Sequence, residues 1–550
     1  MGSIISFLAF TLVVAVIAYL STRKTNEKTS DGYFLGGRSL TGPVIAGSLL
    51  LTNLSTEQIV GMNGIAFSEG ILIMAYEVVA AIAIVFTAMV LLPKYLKGGI
   101  ATIPQFLERR YGKSTRTLVS LLFLFGYAIS MLPTVLYSGA LAINTMFDIP
   151  QMLGMDEEGA LWVTVWTMGV VGSVYAIFGG LKAVAVSDSI NAIGLLVGGL
   201  MIPIFGLIYL GGGDFMEGIN VLSTQAPEKF DIIGSKTSSV PFWTLFTGML
   251  IVNFYYWGTN QAIIQRALGA KNLVEGQKGL CLAAFIKILG PLIVVLPGVI
   301  AFHIFSGDLS NADQAYPMLV KKVLPIGLIG FFAAVLFGAI LSSFNSALNS
   351  SVTLFGLDVY KEYINKKASE RQVVNAGKMF GLVLAIFSMA IAPLLFGVEG
   401  GIFNYLQELN GSYSVPILAI ILIGYLTKRV PTLAANVSII FGVAVYLVAL
   451  YVIKPMMLDK ALSTANAAGI TDAAQLLAIK TEAFPHFLHV MGIIFVLIIV
   501  ILMVIGRLYP RKEAYVQVYT QQVDITPWKY IKPVGFSICA LVICIYLYFS

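Results

Sequence analysis

The sequence predicts an all-α polytopic membrane protein: fourteen transmembrane helices around two five-helix repeats of opposite orientation. Three features predict it. The composition is apolar, apolar stretches recur at membrane length, and two of those stretches, five apart, are broken midway by polar residues. Of the 550 residues, 58% are hydrophobic and 11% charged, and the mean hydropathy is +0.88. Soluble chains are roughly 45–50% apolar and about 25% charged. A water-soluble core has no use for this much apolar surface, which excludes a soluble enzyme, a disordered chain and a nucleic-acid binder. The three cysteines, Cys281, Cys539 and Cys544, lie in apolar runs and read as small apolar residues rather than a disulfide framework.

A hydrocarbon core of about 30 Å takes about 20 apolar residues per helix. The stretches that meet this are 2–21, 41–64, 71–95, 117–147, 160–180, 184–211, 240–264, 279–304, 325–356, 374–396, 402–427, 431–453, 483–506 and 533–549. The first lacks a basic leader and a small-residue cleavage site, so it reads as a retained helix rather than a signal peptide. The long connections 305–324 and 454–482 are expected to form short surface helices. Residues 1–40 then make an extra helix and a cytoplasmic loop, 41–211 the first repeat, 240–427 the second and 428–550 three further helices, all in one membrane domain.

The basic residues orient these spans. Of 34 Lys and Arg, 26 fall in odd-numbered connections or, as Lys94 and Lys378 do, at the span ends that border them, and 7 in even-numbered ones, leaving Lys287 deep inside a span. By the positive-inside rule the odd connections are cytoplasmic and both termini extracytoplasmic. A missed span would collapse this alternation downstream of the error. The net charge of +6 is therefore a topology signal and needs no acidic partner.

The second span breaks its apolar pattern at Leu51-Thr52-Asn53-Leu54-Ser55-Thr56-Glu57-Gln58, then Gly61-Met62-Asn63-Gly64, and the seventh at Asn253-Phe254-Tyr255-Tyr256-Trp257-Gly258-Thr259-Asn260-Gln261. Unwound backbone at membrane depth is tolerated where it lines a cavity, although Asn, Ser and Thr also serve as ordinary interhelical hydrogen-bonding residues. Five is odd, so tandem five-span units insert upside down to each other. One broken helix opening each unit points to a carrier with its site at the midplane.

Charge at depth is costly, about 2.5–3.5 kcal/mol at a helix centre. Lys287 lies eight residues into its span and Glu77 is the nearest opposite charge in the other half. Both are expected either to line one cavity and bind a polar solute or to form a structural ion pair. Glu57 and Gln58 are adjacent, so one of them is expected to reach the cavity. Asp188 falls near the cytoplasmic end of its span, where a solvated acid is cheap. In the ninth span, Ser342 and Ser343 either bond back to their own helix or supply oxygens to a small hard cation, which takes about six of them. No carboxylate lies among them to carry a proton, which favours Na⁺ over H⁺. Tyr76, Tyr255, Tyr256, Trp257, Asn253, Phe403 and Gln407 combine aromatic faces with amides, a setting that suits a neutral polyhydroxylated solute. An anionic solute would call for Arg, and none falls within the predicted core spans. No phosphate-binding Gly-rich loop occurs, nor any Ser–His–Asp constellation, so transport is favoured over catalysis.

Gly32 to Leu40, Asn53 to Gly64, Tyr76-Glu77, Gly179-Gly180-Leu181, Asn253 to Arg266, Gln277-Lys278-Gly279, Ser342-Ser343 and Asp358 to Tyr363 recur in the order of a known family. In these the chain resembles the sodium/solute symporters, nearest their bacterial sodium/galactose branch. The resemblance implies the five-plus-five fold of the bacterial leucine transporter, alternating access, and Na⁺-coupled uptake of a neutral, hexose-like sugar across a bacterial inner membrane. A polyol, amino acid, vitamin or organic acid as cargo, or H⁺ as coupling ion, are the alternatives. It implies sugar contacts from Gln58, Glu77, Asn253, Lys287 and Gln407, with Tyr256 stacking as inner gate and Met62, Tyr76 and Phe403 closing the outside. It implies Na⁺ held by the Ser342 and Ser343 hydroxyls and the carbonyls of Leu51, Leu54 and Ala339, with Asp188 on the ion's path. A family sugar-contacting serine falls on Ala80 here, which counts against galactose itself.

Overall fold

The computed structural model describes residues 12–14, 16, 17, 20, 29–305, 309, 311–396 and 401–549. The first predicted span, 2–21, lies outside them apart from six positions. Among the described residues the structure is helical, and β pairing is limited to one bridge, Leu40 with Ala270. Nine described helices are long and apolar enough to cross a membrane, and Leu273–Leu289 with Pro291–Phe305, bent by 43°, makes a tenth. The long outer connections do carry helices: Ala315–Val323, Lys454–Ala467 and Ala473–Ala483.

Four predicted spans differ from one helix each. The fifth and sixth merge into one helix, Glu157–Leu210. At 1.5 Å per residue its 54 residues would measure about 81 Å if straight, far more than one crossing. Its two ends nevertheless meet the same neighbour. Glu157 and Leu161 share a cleft with Lys321 and Lys322, and the Lys322 ammonium lies 5.7 Å over the ring of Tyr209. The two halves therefore run back on each other as two crossings must.

The second and seventh spans are each two half-helices. Gly42–Asn53 ends at Leu54, and an extended Ser55 (φ −88°, ψ 174°) restarts the chain as Thr56–Glu69. Gly248–Gly258 ends at Thr259, and Asn260 caps Gln261–Leu268 by accepting from the Ala262 N–H. The Leu40 N–H donates to Gly269 O at 3.1 Å and the Lys271 N–H to Leu40 O at 3.0 Å. The start of one broken helix thus meets the end of the other, so the two run in opposite directions. Lys229, from the connection that follows Leu210, donates to the last carbonyls of Thr56–Glu69, Phe67 O at 3.2 Å and Ser68 O at 2.6 Å.

The basic residues of the third connection do more than mark a side. In the short helix Ile103–Tyr111, Arg110 donates to Gly424 O, Val430 O and Thr427 O at 2.9–3.1 Å, closing the end of the eleventh span. Arg116 pairs with Asp358 at the end of the ninth span and with Glu108 at 2.6 Å.

Candidate functional site

The two breaks face a common cavity of about 60 Å³. Water needs about 10–15 Å³ of such space, so this volume holds a few waters and must expand for a solute. Of the residues expected in the site, Gln58, Tyr76, Asn253, Tyr256, Lys287, Phe403 and Gln407 line it. Asn53, Met131, Asn260, Asn410 and Tyr413 line it as well. Both Glu57 and Gln58 do so, where only one was expected. They occupy the first turn after the break, so the cavity wraps a helix end rather than a helix side.

Lys287 and Glu77 form a direct ion pair, their side chains 1% and 0% exposed. Lys287 also donates to Asn53 Oδ1, and Gln58 Nε2 donates to Glu77 Oε1 at 3.2 Å. Lys287 faces the cavity with Glu77 behind it, and Glu77 Oε2 has no hydrogen-bond partner. The bend in the eighth span makes room for that carboxylate. A Cβ at Gly290 would sit 2.3 Å from Glu77 Oε2, so the turn requires glycine there.

On the far wall, Asn410 Oδ1 accepts from Ser130 Oγ at 3.0 Å and from Tyr413 Oη. With its oxygen so engaged, the Asn410 amide offers donors to the cavity. Nothing in the sequence singled this residue out, since an asparagine inside an apolar span reads as an ordinary interhelical contact.

Above the cavity the rings of Tyr76 and Phe403 meet edge to face at 5.1 Å. Gly61 packs so closely on Phe403 that a Cβ there would lie 2.7 Å from the Phe403 Cβ. Met62, expected at the gate, is fully buried and does not line the cavity. Beyond these rings, buried Asp313 packs against Gly64 and accepts from the Ile402 N–H at 3.4 Å, next to Phe403. Burial pushes its carboxyl up to about 6.

Ser343 Oγ donates to Thr52 O at 3.1 Å, and Ser342 Oγ is buried with no partner. The break at Leu54–Ser55 deprives the last carbonyls of Gly42–Asn53, those of Leu51 and Thr52 among them, of their intrahelical partners. An orphaned hydroxyl beside freed carbonyls is a donor set that fits a small hard cation. Leu51, Leu54 and Ala339 are all buried here. Thr52 O joins them although the resemblance did not imply it.

Two expectations are overturned below this point. Asp188 is not solvated; it is 1% exposed and accepts from Ser48 Oγ at 2.7 Å. Arg266, counted in a cytoplasmic connection, is fully buried and donates to Ala262 O, Ser346 Oγ and, at 3.4 Å, Ser48 Oγ. The reason is common to both: unwinding at Thr259–Asn260 carries the seventh span on to Leu268, which covers Asp188 with helix rather than water. Arg266 does not line the cavity.

The profile described as "Sodium:solute symporter family" matches residues 33–442. The chain is 45% identical over 543 residues to the "Uncharacterized symporter YidK" of Escherichia coli (strain K12), covering 99% of this chain and 90% of that protein. It is 35% identical over 468 residues to the "Sodium/glucose cotransporter" of Vibrio parahaemolyticus, covering 80% and 84%. Among solved structures, a Na⁺-coupled sialic acid symporter in a substrate-bound outward-open state superposes with a TM-score of 0.74 at 20% identity, over 94% of this chain and 99% of that one.

Proposed function

The chain belongs to the sodium:solute symporter family, and on that premise we propose that it couples Na⁺ entry to uptake of a neutral, hexose-like sugar by alternating access. The observation that carries this reading is the cavity wall. Amides of Gln58, Asn253, Gln407 and Asn410 stand around an aromatic face at Tyr256, beside Lys287 and with no arginine. Amides and an ammonium match the many hydroxyls of a sugar, and Tyr256 matches the apolar face of its ring. The sodium/glucose cotransporter relative supports the same cargo class.

In this reading Na⁺ is taken by the Ser342 and Ser343 hydroxyls with the carbonyls of Leu51, Leu54 and Ala339, and Asp188 receives it on the cytoplasmic side. Na⁺ on those carbonyls holds the broken second span in the form that presents Gln58 to the solute. The solute takes hydrogen bonds that Lys287 and Glu77 otherwise make to each other and to Asn53 and Gln58. Tyr76 and Phe403, with Met62 packed behind them, close the outside; Tyr256 closes the inside. Fourteen spans with two inverted repeats, both termini extracytoplasmic and residence in a bacterial inner membrane complete the proposal. Ala80, where a serine would add a sugar contact, selects against galactose. The test is uptake into proteoliposomes under an imposed Na⁺ gradient, screened over hexoses, polyols, amino acids and organic acids. Concentrative, Na⁺-dependent uptake confined to a sugar supports the reading. Uptake indifferent to Na⁺ but collapsed by a protonophore, or confined to a charged solute, refutes it.

A further inference from the structure

A groove of about 570 Å³ runs between the eighth and fourteenth spans at their cytoplasmic ends. We propose that it holds one anionic diacyl phospholipid of the inner leaflet. The walls are apolar: Cys281, Leu282 and Phe285 on one helix, Val534, Ile538 and Leu541 on the other. Leu282, Phe285 and Leu541 are 41–48% exposed, at a depth where the only solvent is acyl chain. A concave apolar strip open to the bilayer takes a chain lengthwise.

The rim decides which lipid. Trp528 and Tyr530 line its mouth, the position aromatic residues take at the headgroup level. Lys278 lines it too, with its side chain 45% exposed, and Lys529 stands between the two aromatics with its ammonium 4.6 Å over the Tyr530 ring. Glu275 lies 3.3 Å from Lys278 and offsets its charge, and its other oxygen is held by the Gly42 N–H at 2.7 Å, so the net positive charge at the mouth is that of Lys529. The mouth therefore keeps a surplus of positive charge directed at a phosphate. It is also built rather than incidental. The Trp528 N–H donates to Gln277 Oε1 at 2.7 Å and the Leu273 N–H to Asp524 O at 2.9 Å, which pins the final connection to the eighth span. Phe285 is two residues before Lys287, so a chain in this groove lies on the back of the helix that holds Lys287 at the cavity.

The test uses the purified full-length protein and native mass spectrometry with dioleoyl phosphatidylglycerol or dioleoyl phosphatidylcholine. One phosphatidylglycerol is expected to be retained at least tenfold more strongly than phosphatidylcholine. The double variant Lys278→Gln/Lys529→Gln should abolish that preference. Ser537→Trp, which fills the groove and leaves both lysines in place, should abolish it too, so the test stands even where the double variant fails to fold. Equal retention of the two lipids, or an undiminished preference in Ser537→Trp, overturns the proposal. Neither result depends on the cargo, so the sugar reading stands or falls separately.

Discussion

Replacing Lys287 with methionine removes one end of an ion pair whose other end, Glu77, is 0% exposed. An uncompensated carboxylate left in that position costs about 3–5 kcal/mol of stability. Adding Glu77→Gln removes the stranded charge and keeps an acceptor for Gln58, which now donates to Glu77 at 3.2 Å. A buried pair exchanged for neutral groups of similar volume is roughly neutral or even stabilising, so the double variant should recover the loss. Transport should not recover. If the sugar bonds to both Lys287 and Glu77, it forfeits two charge-assisted hydrogen bonds of about 1.5–3 kcal/mol each. That raises KM by about a hundredfold or more. The assay pairs a thermal-shift measurement by fluorescence-detected size exclusion with Na⁺-gradient uptake in proteoliposomes, over wild type, both single variants and the double. A double variant that regains stability and takes up solute with a KM within a few fold of wild type makes the pair structural and refutes the reasoning.

Three other outcomes follow from the same geometry. Ser343→Ala removes an oxygen beside Thr52 O; the Na⁺ concentration for half-maximal uptake should rise about tenfold, with solute KM at saturating Na⁺ unchanged. Gly61→Ala drives a methyl against Phe403 Cβ, where the space is 2.7 Å; it should prop the outer gate open, raising labelling of a Met62→Cys reporter by an impermeant maleimide in a background free of other reactive cysteines. Asp313, pushed up to about 6 by burial at the closed outer face, binds a proton more tightly when packed than when released to water. The packed form gains stability as outside pH falls through about 6 towards the ordinary carboxylate value near 3.9, and loses it as pH rises. Labelling of that reporter, divided by the labelling of the same thiol in the unfolded protein at each pH to remove the loss of thiolate, should fall about tenfold between pH 7.5 and 5, and Asp313→Asn should keep the ratio low across the range.

The breaks in the second and seventh spans were legible because unwinding needs residues an apolar helix does not otherwise carry. The runs Leu51 to Gln58 and Asn253 to Gln261 mark themselves out, although only the structure places the second break at Thr259–Asn260. Lys287 and Glu77 were legible for a similar reason: a charge in hydrocarbon has to be answered by another group. The residues that escaped did so because their significance is made by tertiary neighbours. Asn410 is one amide in an apolar run until Ser130 and Tyr413 turn its donors inward. Arg266 sits just past where composition says the seventh span has ended, and a break less than two turns earlier cannot say how far the helix resumes or that it will cover Asp188. Arg110 and Arg116 counted correctly as charges on one side of the membrane, yet that count is silent about the carbonyls and carboxylates they close on.

Those two arginines have a mechanical consequence. Arg110, in the short helix Ile103–Tyr111, binds the foot of the eleventh span, and Arg116, in the first turn of the helix that follows it, the foot of the ninth. Three crossings are thus tied to one another at a single end. In the proposed cycle, displacement then falls to the split helices, and a spectroscopic label beside Arg110 or Arg116 supplies a landmark against which their movement can be surveyed.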